Sequence, residues 1–177
     1  LFYFPNFLIV PARLPVDSVP DLLAWGQQQP QGLSYGSQGV GSPGHLLGAM
    51  LAHGAKGSQL VHVPYAAGGG PMNMDLLAGR LDMVFSTYAS MRSHAEQGKV
   101  KFLAVASPQR SALLPQVPTL AEAGYPDIEL ESWFGLVAPA GTPPQAVASL
   151  QQWFMQAAQT LQLQQRFAEQ GVSLAAE

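Results

Sequence analysis

Apolar residues along the chain follow two alternating patterns. Short segments rich in apolar and β-branched residues, typical of buried strands, alternate with longer segments in which apolar residues recur every three or four positions, as on one face of a helix. The strand-like segments of this alternating part are 33–37, 59–63, 81–85 and 101–106. Strands that alternate with helices favour parallel pairing through crossover connections. The pattern therefore predicts an α/β protein with a mostly parallel sheet flanked by helices.

The last third of the chain shows a different arrangement. A run at 129–137 predicts one further strand, and Thr119 is placed to cap a short helix at 120–123. Thr142 and Gln145 have the spacing of a capping box before a long helix. One face of that helix is apolar and carries Val147, Leu150, Phe154 and Ala157.

A glycine-rich turn follows the segment 33–37. Gly39, Gly41 and Gly44 are spaced within six residues, Ser42 is placed to cap the next helix, and Pro43 suits the first position of that helix. A helix start presents unpaired N–H groups and a partial positive charge of about half an elementary charge. The turn therefore predicts a site for a carboxylate or a phosphate.

Two other interpretations of the turn remain open. Its G-x-G-x-x-G spacing is that of a dinucleotide-binding turn, and that function needs an acidic residue about 20 positions later to bind the ribose. No Asp or Glu lies between Asp21 and Asp75. The glycines could also serve backbone freedom alone.

Polar or glycine-rich turns end three of the predicted strands. These turns are 37–42, 65–70 and 86–87. In open parallel sheets, ligands bind beyond the carboxyl ends of the strands. The convergence of the three turns indicates a small polar ligand.

Composition and charge exclude several classes of protein. The net charge is −3 and there is no basic cluster, which argues against nucleic acid as a partner. The chain has no cysteine, and no apolar run is long enough to span a membrane. Charged residues make up only 11% of the chain, below the usual proportion of about a quarter, which suggests either large buried faces or surfaces that something outside this chain covers.

The sequence offers little support for catalysis, a metal or a cofactor. The histidines have no metal-ligand spacing, and neither Ser37 nor Ser42 lies in the G-x-S-x-G pattern of a serine nucleophile. His45 lies one turn into the helix and could point toward the site or lie on the helix surface. His62 is interpreted as a packed strand residue, and Trp133 as a core residue or part of a cleft wall.

Long motifs carry a resemblance to a known family. They include S-Y-G-S-Q-G-V-G-S-P-G-H-L, H-V-P-Y, M-N-M-D-L-L-A-G-R-L-D-M-V-F, L-A-V-A-S-P-Q-R and S-W-F-G-L-V-A-P-A-G-T-P-P. The chain resembles the Bug family, the periplasmic solute-binding receptors of tripartite tricarboxylate transporters. The resemblance implies a two-lobed receptor that closes on a small carboxylate, with transporter subunits or a sensor as further partners. It implies no cofactor.

The resemblance and the turns together predict the site. The predicted ligand-binding residues are Ser37, Gly39, Val40, Gly41, Ser42, His45, Tyr65, Gly68, Gly69, Ser86, Thr87 and Trp133. The chain departs from the family pattern at Ser86, where many relatives have Asp, and in the turn 65–75, which is one residue longer.

The resemblance also implies a division of the chain. Residues 1–10 would be a crossover strand, 11–128 the second ligand-binding lobe, 129–138 the returning crossover, and 139–177 helices that pack on a first lobe. Most of that first lobe would precede Leu1. A homodimer formed through the C-terminal helices is a further expectation, because an apolar helix face is rarely left in water.

Overall fold

The computed structural model describes residues 2–55 and 57–174. In chain order the elements are β1 (Phe2–Pro5), β2 (Phe7–Pro11), α1 (Val19–Gln27), β3 (Leu33–Ser37), α2 (Pro43–Gly54), β4 (Leu60–Pro64), α3 (Gly69–Leu77), β5 (Met83–Ser86), α4 (Tyr88–Glu96), β6 (Val100–Val105), β7 (Glu131–Phe134), α5 (Pro144–Ala158), α6 (Leu161–Glu169) and β8 (Ser173–Leu174). They fall into two compact units. The larger is Pro5–Glu131, and the smaller combines Leu1–Phe4 with Ser132–Glu177.

The larger unit is built on a five-stranded sheet in the order β4-β3-β5-β2-β6. Strands β4, β3 and β5 are parallel, as predicted, and β2 pairs antiparallel with both β5 and β6. Four strands therefore run in one direction and β2 alone runs against them. The predicted α/β class with a mostly parallel sheet is confirmed. Because β2 is reversed, its first residue, Phe7, lies opposite Ser86 at the carboxyl edge of β5.

Two hydrophobic clusters fill the two faces of this sheet. Alternate residues of β2 enter different clusters, since Leu8 packs with Leu47 of α2 whereas Ile9 packs with Leu76 of α3. The first cluster includes α1 and α2, and the second includes α3 and α4. Full burial of one such leucine contributes about 1.5–3 kcal/mol. The helices that begin at the two glycine-rich turns, α2 and α3, therefore pack on opposite faces of the sheet.

Side-chain hydroxyls cap the starts of α1 and α2. The Ser18 hydroxyl accepts the N–H of Asp21 at 3.1 Å, and the Asp21 carboxylate accepts the N–H of Asp17 at 3.4 Å. At α2, Ser42 is the N-cap and Pro43 is the first helical residue. α2 therefore begins where the sequence predicts.

Three predictions in the later part of the chain were wrong, two in kind and one in extent. Thr119 and Glu122 do exchange bonds of the capping-box type, but residues 120–124 form only a turn, because Gly124 at φ 99° redirects the chain. Thr142 does not cap α5. Its hydroxyl donates to the carbonyl of Pro139, and the cap position is taken by Pro143, which offers no side-chain bond. The predicted strand 129–137 is also shorter, since β7 covers only Glu131–Phe134.

The smaller unit has a three-stranded sheet, β7-β1-β8, and the helices α5 and α6. Phe2 packs on Phe167 and Phe4 stacks on Phe134, each pair with ring centroids 5.0 Å apart. No residue of α5 is buried, and Trp153 is 62% exposed. No helix among the described residues has the length and apolar character needed to cross a membrane.

Candidate functional site

The three predicted turns meet at one edge of the larger unit's sheet. β3 lies between β4 and β5, and its last residue, Ser37, pairs with Pro64. The N–H of Tyr65 donates to the carbonyl of Ser37 at 2.8 Å. A Cβ on Gly69 would lie 3.1 Å from Nε2 of Gln38. The turns after β3 and β4 are therefore in direct contact.

The turn after β3 is open on its outer side. Gly39 has φ 115° and Gly41 has φ 83°, both in the region that favours glycine. A Cβ on either residue would meet no atom within 4 Å, and Val40 between them is 80% exposed. Space beside a helix start is therefore available to a ligand.

Only part of the turn's backbone is free to bind an anion. The Gly39 N–H donates to the hydroxyl of Ser37 at 3.1 Å, the Gly41 N–H to Nδ1 of His45 at 3.1 Å, and the Ser42 N–H to the carbonyl of Gly39 at 3.2 Å. Within residues 2–55 and 57–174, the N–H groups of Gln38, Val40 and Gly44 donate to no protein acceptor, and Gly44 is the buried one of the three. These amides and the positive end of α2 are the available anion donors, and those of Val40 and Gly44 lie nearest the helix start.

A cluster of rings lies under the turn. The imidazoles of His45 and His62 have centroids 4.3 Å apart, and His62 stacks on Tyr35 at 5.0 Å. Nε2 of His62 is 2.6 Å from the hydroxyl oxygen of Ser37. Burial, together with the nearby His45, lowers the pKa of His62 and favours its neutral form.

The ring cluster refines two sequence interpretations. His45 does lie against the turn, through its bond to Gly41. His62 is packed, as predicted, and it also reaches Ser37, which sequence reasoning missed. The contact follows from the strand register, which the sequence alone does not give: His62 pairs with Tyr35 and therefore lies on the same face as Ser37, two residues further on.

Tyr65 contributes to a charged cluster beside the second turn. Its hydroxyl donates to the Asp75 carboxylate at 2.6 Å, and Arg80 donates to the same carboxylate. Burial and this hydrogen bond raise the pKa of Tyr65 to about 12. The bonds from Arg80 and Tyr65 lower the pKa of Asp75. The carboxylate is thus occupied, and Tyr65 is fixed at the edge of the site.

Gly68 and Gly69 form the start of α3. Gly68 is the N-cap at φ 87°, and no side chain bonds the helix start there. The N–H of Gly68 donates to the carbonyl of Tyr65 at 3.1 Å, which closes the turn. A Cβ on Gly68 would meet nothing within 4 Å, so this turn also has an open outer side.

The third turn, at the end of β5, lies beside the start of α2. A Cβ on Gly44 would be 3.2 Å from the carbonyl oxygen of Phe85. Ser86, the next residue, is buried, and its hydroxyl is 2.8 Å from that of Ser90. Thr87 is the N-cap of α4, and its hydroxyl accepts the Ser90 N–H at 3.4 Å. Thr87, rather than Ser86, therefore caps the helix.

Two buried polar residues at the same edge were not predicted. Asn6, before the reversed strand β2, accepts the N–H of Ala106 at 2.8 Å through its carbonyl. Ser107, after β6, donates its hydroxyl to the carbonyl of Gln109 at 2.6 Å. Sequence reasoning missed Asn6 because its position depends on the antiparallel pairing of β2. Ser107 follows the predicted strand 101–106, so the rule that ligands bind beyond the carboxyl ends of strands could have indicated it.

Trp133 belongs to the smaller unit, on β7, and its side chain is 61% exposed. It is therefore not a core residue, and its role in ligand binding stays a prediction. Among the described residues, no three His, Asp or Glu side chains form a group that could hold a metal ion.

Comparison with known proteins gives consistent relatives. The protein BugT of Bordetella pertussis is 32% identical over 169 residues, which is 96% of this chain and 51% of BugT. A UPF0065 protein of Pseudomonas sp. strain P51, from the tcbD-tcbE intergenic region, is 41% identical over 147 residues, 82% of this chain and 43% of the relative. The chain thus spans about half the length of the curated relatives it matches.

Solved structures share the fold. The periplasmic binding protein BugD superposes with a TM-score of 0.90 at 28% identity, over 99% of this chain and 58% of BugD. The structure of R. palustris Rpa4515 with adipate superposes with a TM-score of 0.87 at 36% identity, over 97% of this chain and 56% of Rpa4515. MatC from Rhodopseudomonas palustris with bound malate superposes with a TM-score of 0.88 at 27% identity, over 97% of this chain and 58% of MatC.

Of these neighbours, BugD is a periplasmic binding protein, and the structures of Rpa4515 and MatC hold the dicarboxylates adipate and malate. A family match covers residues 1–177, and its description is the tripartite tricarboxylate transporter family receptor, TctC. The chain belongs to this family of solute-binding receptors.

Proposed function

We propose that the chain forms the ligand-binding part of a periplasmic receptor that captures a small dicarboxylate. The observation that carries the proposal is the open turn before α2, with the unpartnered amides of Val40 and Gly44 at a helix start. The adipate and malate of two structural neighbours have the chemistry that such a turn would bind. The proposal assigns binding and no catalysis to this edge.

One ligand carboxylate would lie over the turn. Its oxygens accept the N–H groups of Val40 and Gly44, and bonds of this charged kind contribute about 1.5–3 kcal/mol each. The carboxylate would also compete with His45 for the N–H of Gly41. Ser37 and Ser42 hold the turn from below, since their hydroxyls bond its backbone.

The remaining predicted residues would form the walls. Tyr65 with Gly68 and Gly69 would bound the ligand on the β4 side, and Ser86 with Thr87 on the β5 side. Trp133 stays a ligand-binding residue predicted from the sequence and the resemblance alone. These roles are proposals that rest on the convergence of the turns and on the family resemblance.

A dinucleotide-binding enzyme is the weaker candidate. That function needs a carboxylate free to bind ribose near the end of β4. The acidic group bonded to the first residue after β4 is Asp75, and it is already bonded by Tyr65 and Arg80. Titration with NAD is the matching control, and saturable micromolar binding would favour this rival. Tight binding of a partner protein without any acid would favour an interaction module.

Ser86 is expected to set ligand choice. An aspartate at this position could pair with a ligand ammonium, whereas serine offers only a neutral bond. We therefore expect the protein at its natural length to bind a dicarboxylate about tenfold or more tightly than its 2-amino analogue, a difference of about 1.4 kcal/mol or more. Calorimetry measures both affinities.

The matched variants are Ser86→Asp and Ser93→Asp. Ser93 is exposed on α4, the helix that follows Ser86. An aspartate at position 93 therefore adds the same charge away from the turn. Ser86→Asp is expected to shift preference toward the amino acid, and Ser93→Asp is not. A preference for the amino acid in the unchanged protein, or no shift with Ser86→Asp, would contradict this role of Ser86.

The wider setting is also part of the proposal. The receptor would reside in the periplasm and deliver its ligand to transporter subunits, and the family description and the periplasmic binding protein BugD support both proposals. A sensor as partner is proposed from the family resemblance alone. The homodimer stays a prediction. Its motive is the half-exposed apolar face of α5, with Leu150 and Phe154, and sedimentation at high concentration would test it.

A further inference from the structure

His62 makes a contact that the proposed binding role does not use. It lies on β4, and its Nε2 is 2.6 Å from Oγ of Ser37 at the end of β3. Ser37 is only 1% exposed, so this contact lies beneath the turn and not on its ligand side. The same Oγ accepts the Gly39 N–H at 3.1 Å. A continuous set of hydrogen bonds therefore joins β4 to the turn.

The direction of these bonds follows from the number of protons. The Ser37 hydroxyl has one proton, which could go to His62 or to the carbonyl of Gly39, 3.0 Å away. That carbonyl already accepts the hydroxyl of Ser42 at 2.7 Å and its N–H at 3.2 Å, so both lone pairs are used. The shorter contact then places the Ser37 proton on the line to Nε2 of His62, with the imidazole neutral and accepting.

Two neighbouring rings restrict the orientation of the His62 ring. Tyr35 stacks on it from β3 at 5.0 Å, and His45 lies against it from α2 at 4.3 Å. His45 in turn accepts the Gly41 N–H. The two histidines thus hold two different amides of the turn, one through Ser37 and one directly.

We infer that His62 is a positioning residue for the anion-binding turn. By holding the Ser37 hydroxyl it keeps the Gly39 amide turned inward, which leaves the Val40 and Gly44 amides facing the ligand. This inference rests on the proposed carboxylate binding. It assigns to His62 an effect on affinity without contact between His62 and the ligand.

Two substitutions separate the hydrogen bond from the stacking. His62→Phe keeps a ring between Tyr35 and His45 but has no nitrogen for Ser37. His62→Gln loses the ring and keeps a polar group that can bond Ser37. Calorimetry with adipate and malate on the protein at its natural length is expected to show about a tenfold rise in Kd for His62→Phe. The Kd of His62→Gln is expected to lie much closer to that of the unchanged protein than to that of His62→Phe.

A double-mutant comparison tests whether His62 acts through Ser37. Ser37→Ala alone is expected to weaken binding, and Ser37→Ala added to His62→Phe is expected to cause little further loss, because both remove the same link. The control is His53→Phe, at an exposed position near the end of α2, which should leave Kd unchanged. Additive losses would contradict the link.

An observation without ligand completes the test. Nitrogen NMR of the imidazole is expected to show an unprotonated, hydrogen-bonded Nε2 on His62 at neutral pH, and Ser37→Ala should remove that bond. If the unchanged protein binds neither acid, the proposed function is wrong and this inference fails with it. If it binds both and His62→Phe binds equally well, this inference alone is overturned.

Discussion

Replacement of Gly41 by valine is expected to raise the Kd for a dicarboxylate by about 10- to 100-fold, which corresponds to the loss of one charge-assisted bond of about 1.5–3 kcal/mol. Gly41 has φ 83°, a conformation that a β-branched residue rarely adopts. A Cβ there meets no protein atom within 4 Å, so the room it would fill is the room proposed for the ligand. Relief of the strain would also turn the neighbouring Val40 amide.

Gly98 supplies a matched control for the Gly41 substitution. It has φ 67° and also meets nothing within 4 Å, but it lies between α4 and the start of β6, at the opposite edge of the sheet. Gly98→Val is expected to lower stability by a similar amount and to leave Kd unchanged. Equal weakening of binding by both valines, or normal binding by Gly41→Val, would contradict the assignment of the site.

Replacement of Gly48 by alanine is expected to lower the free energy of unfolding by roughly 1–3 kcal/mol, and valine to lower it more. α2 packs directly on a ring of β3, since a Cβ at Gly48 would be 2.1 Å from Cε2 and 2.4 Å from Cδ2 of Tyr35. The ring is buried and stacks on His62, so it has little room to move. Denaturant unfolding measures the loss.

Gly70 is the control for this packing effect. It lies in the first turn of α3, where an added Cβ would meet nothing within 4 Å. Gly70→Ala is therefore expected to change stability by no more than about 0.5–1 kcal/mol, and in the stabilising direction, because alanine favours helix. Equal effects of Gly48→Ala and Gly70→Ala would show that the contact between α2 and Tyr35 does not limit the residue at position 48.

Features that depend on a few neighbouring residues could be predicted from the sequence. The strand 33–37 coincides with β3, and the cap at Ser42 is correct, because strand periodicity and helix capping are local effects. The same local reasoning was wrong at Thr142, where Pro143 takes the cap position. It was also wrong at Thr119, where the chain turns at Gly124 before a helix can form.

Features that depend on distant pairing could not be predicted in this way. The reversal of β2 follows from its two neighbours in the sheet, and it brings Asn6 to the edge where the turns converge. The bond between His62 and Ser37 requires the register of β4 against β3. The sequence indicated an anion turn, but only the hydrogen bonds show which of its amides are already used.

Amide NMR can show whether a carboxylate binds the N–H groups of Val40 and Gly44. The protein at its natural length, labelled with ¹⁵N, is titrated with adipate and with malate. We expect saturable downfield shifts that are largest for the amide protons of Val40 and Gly44, because these donors gain a charged acceptor. Saturable binding that leaves both amides unshifted would contradict this expectation.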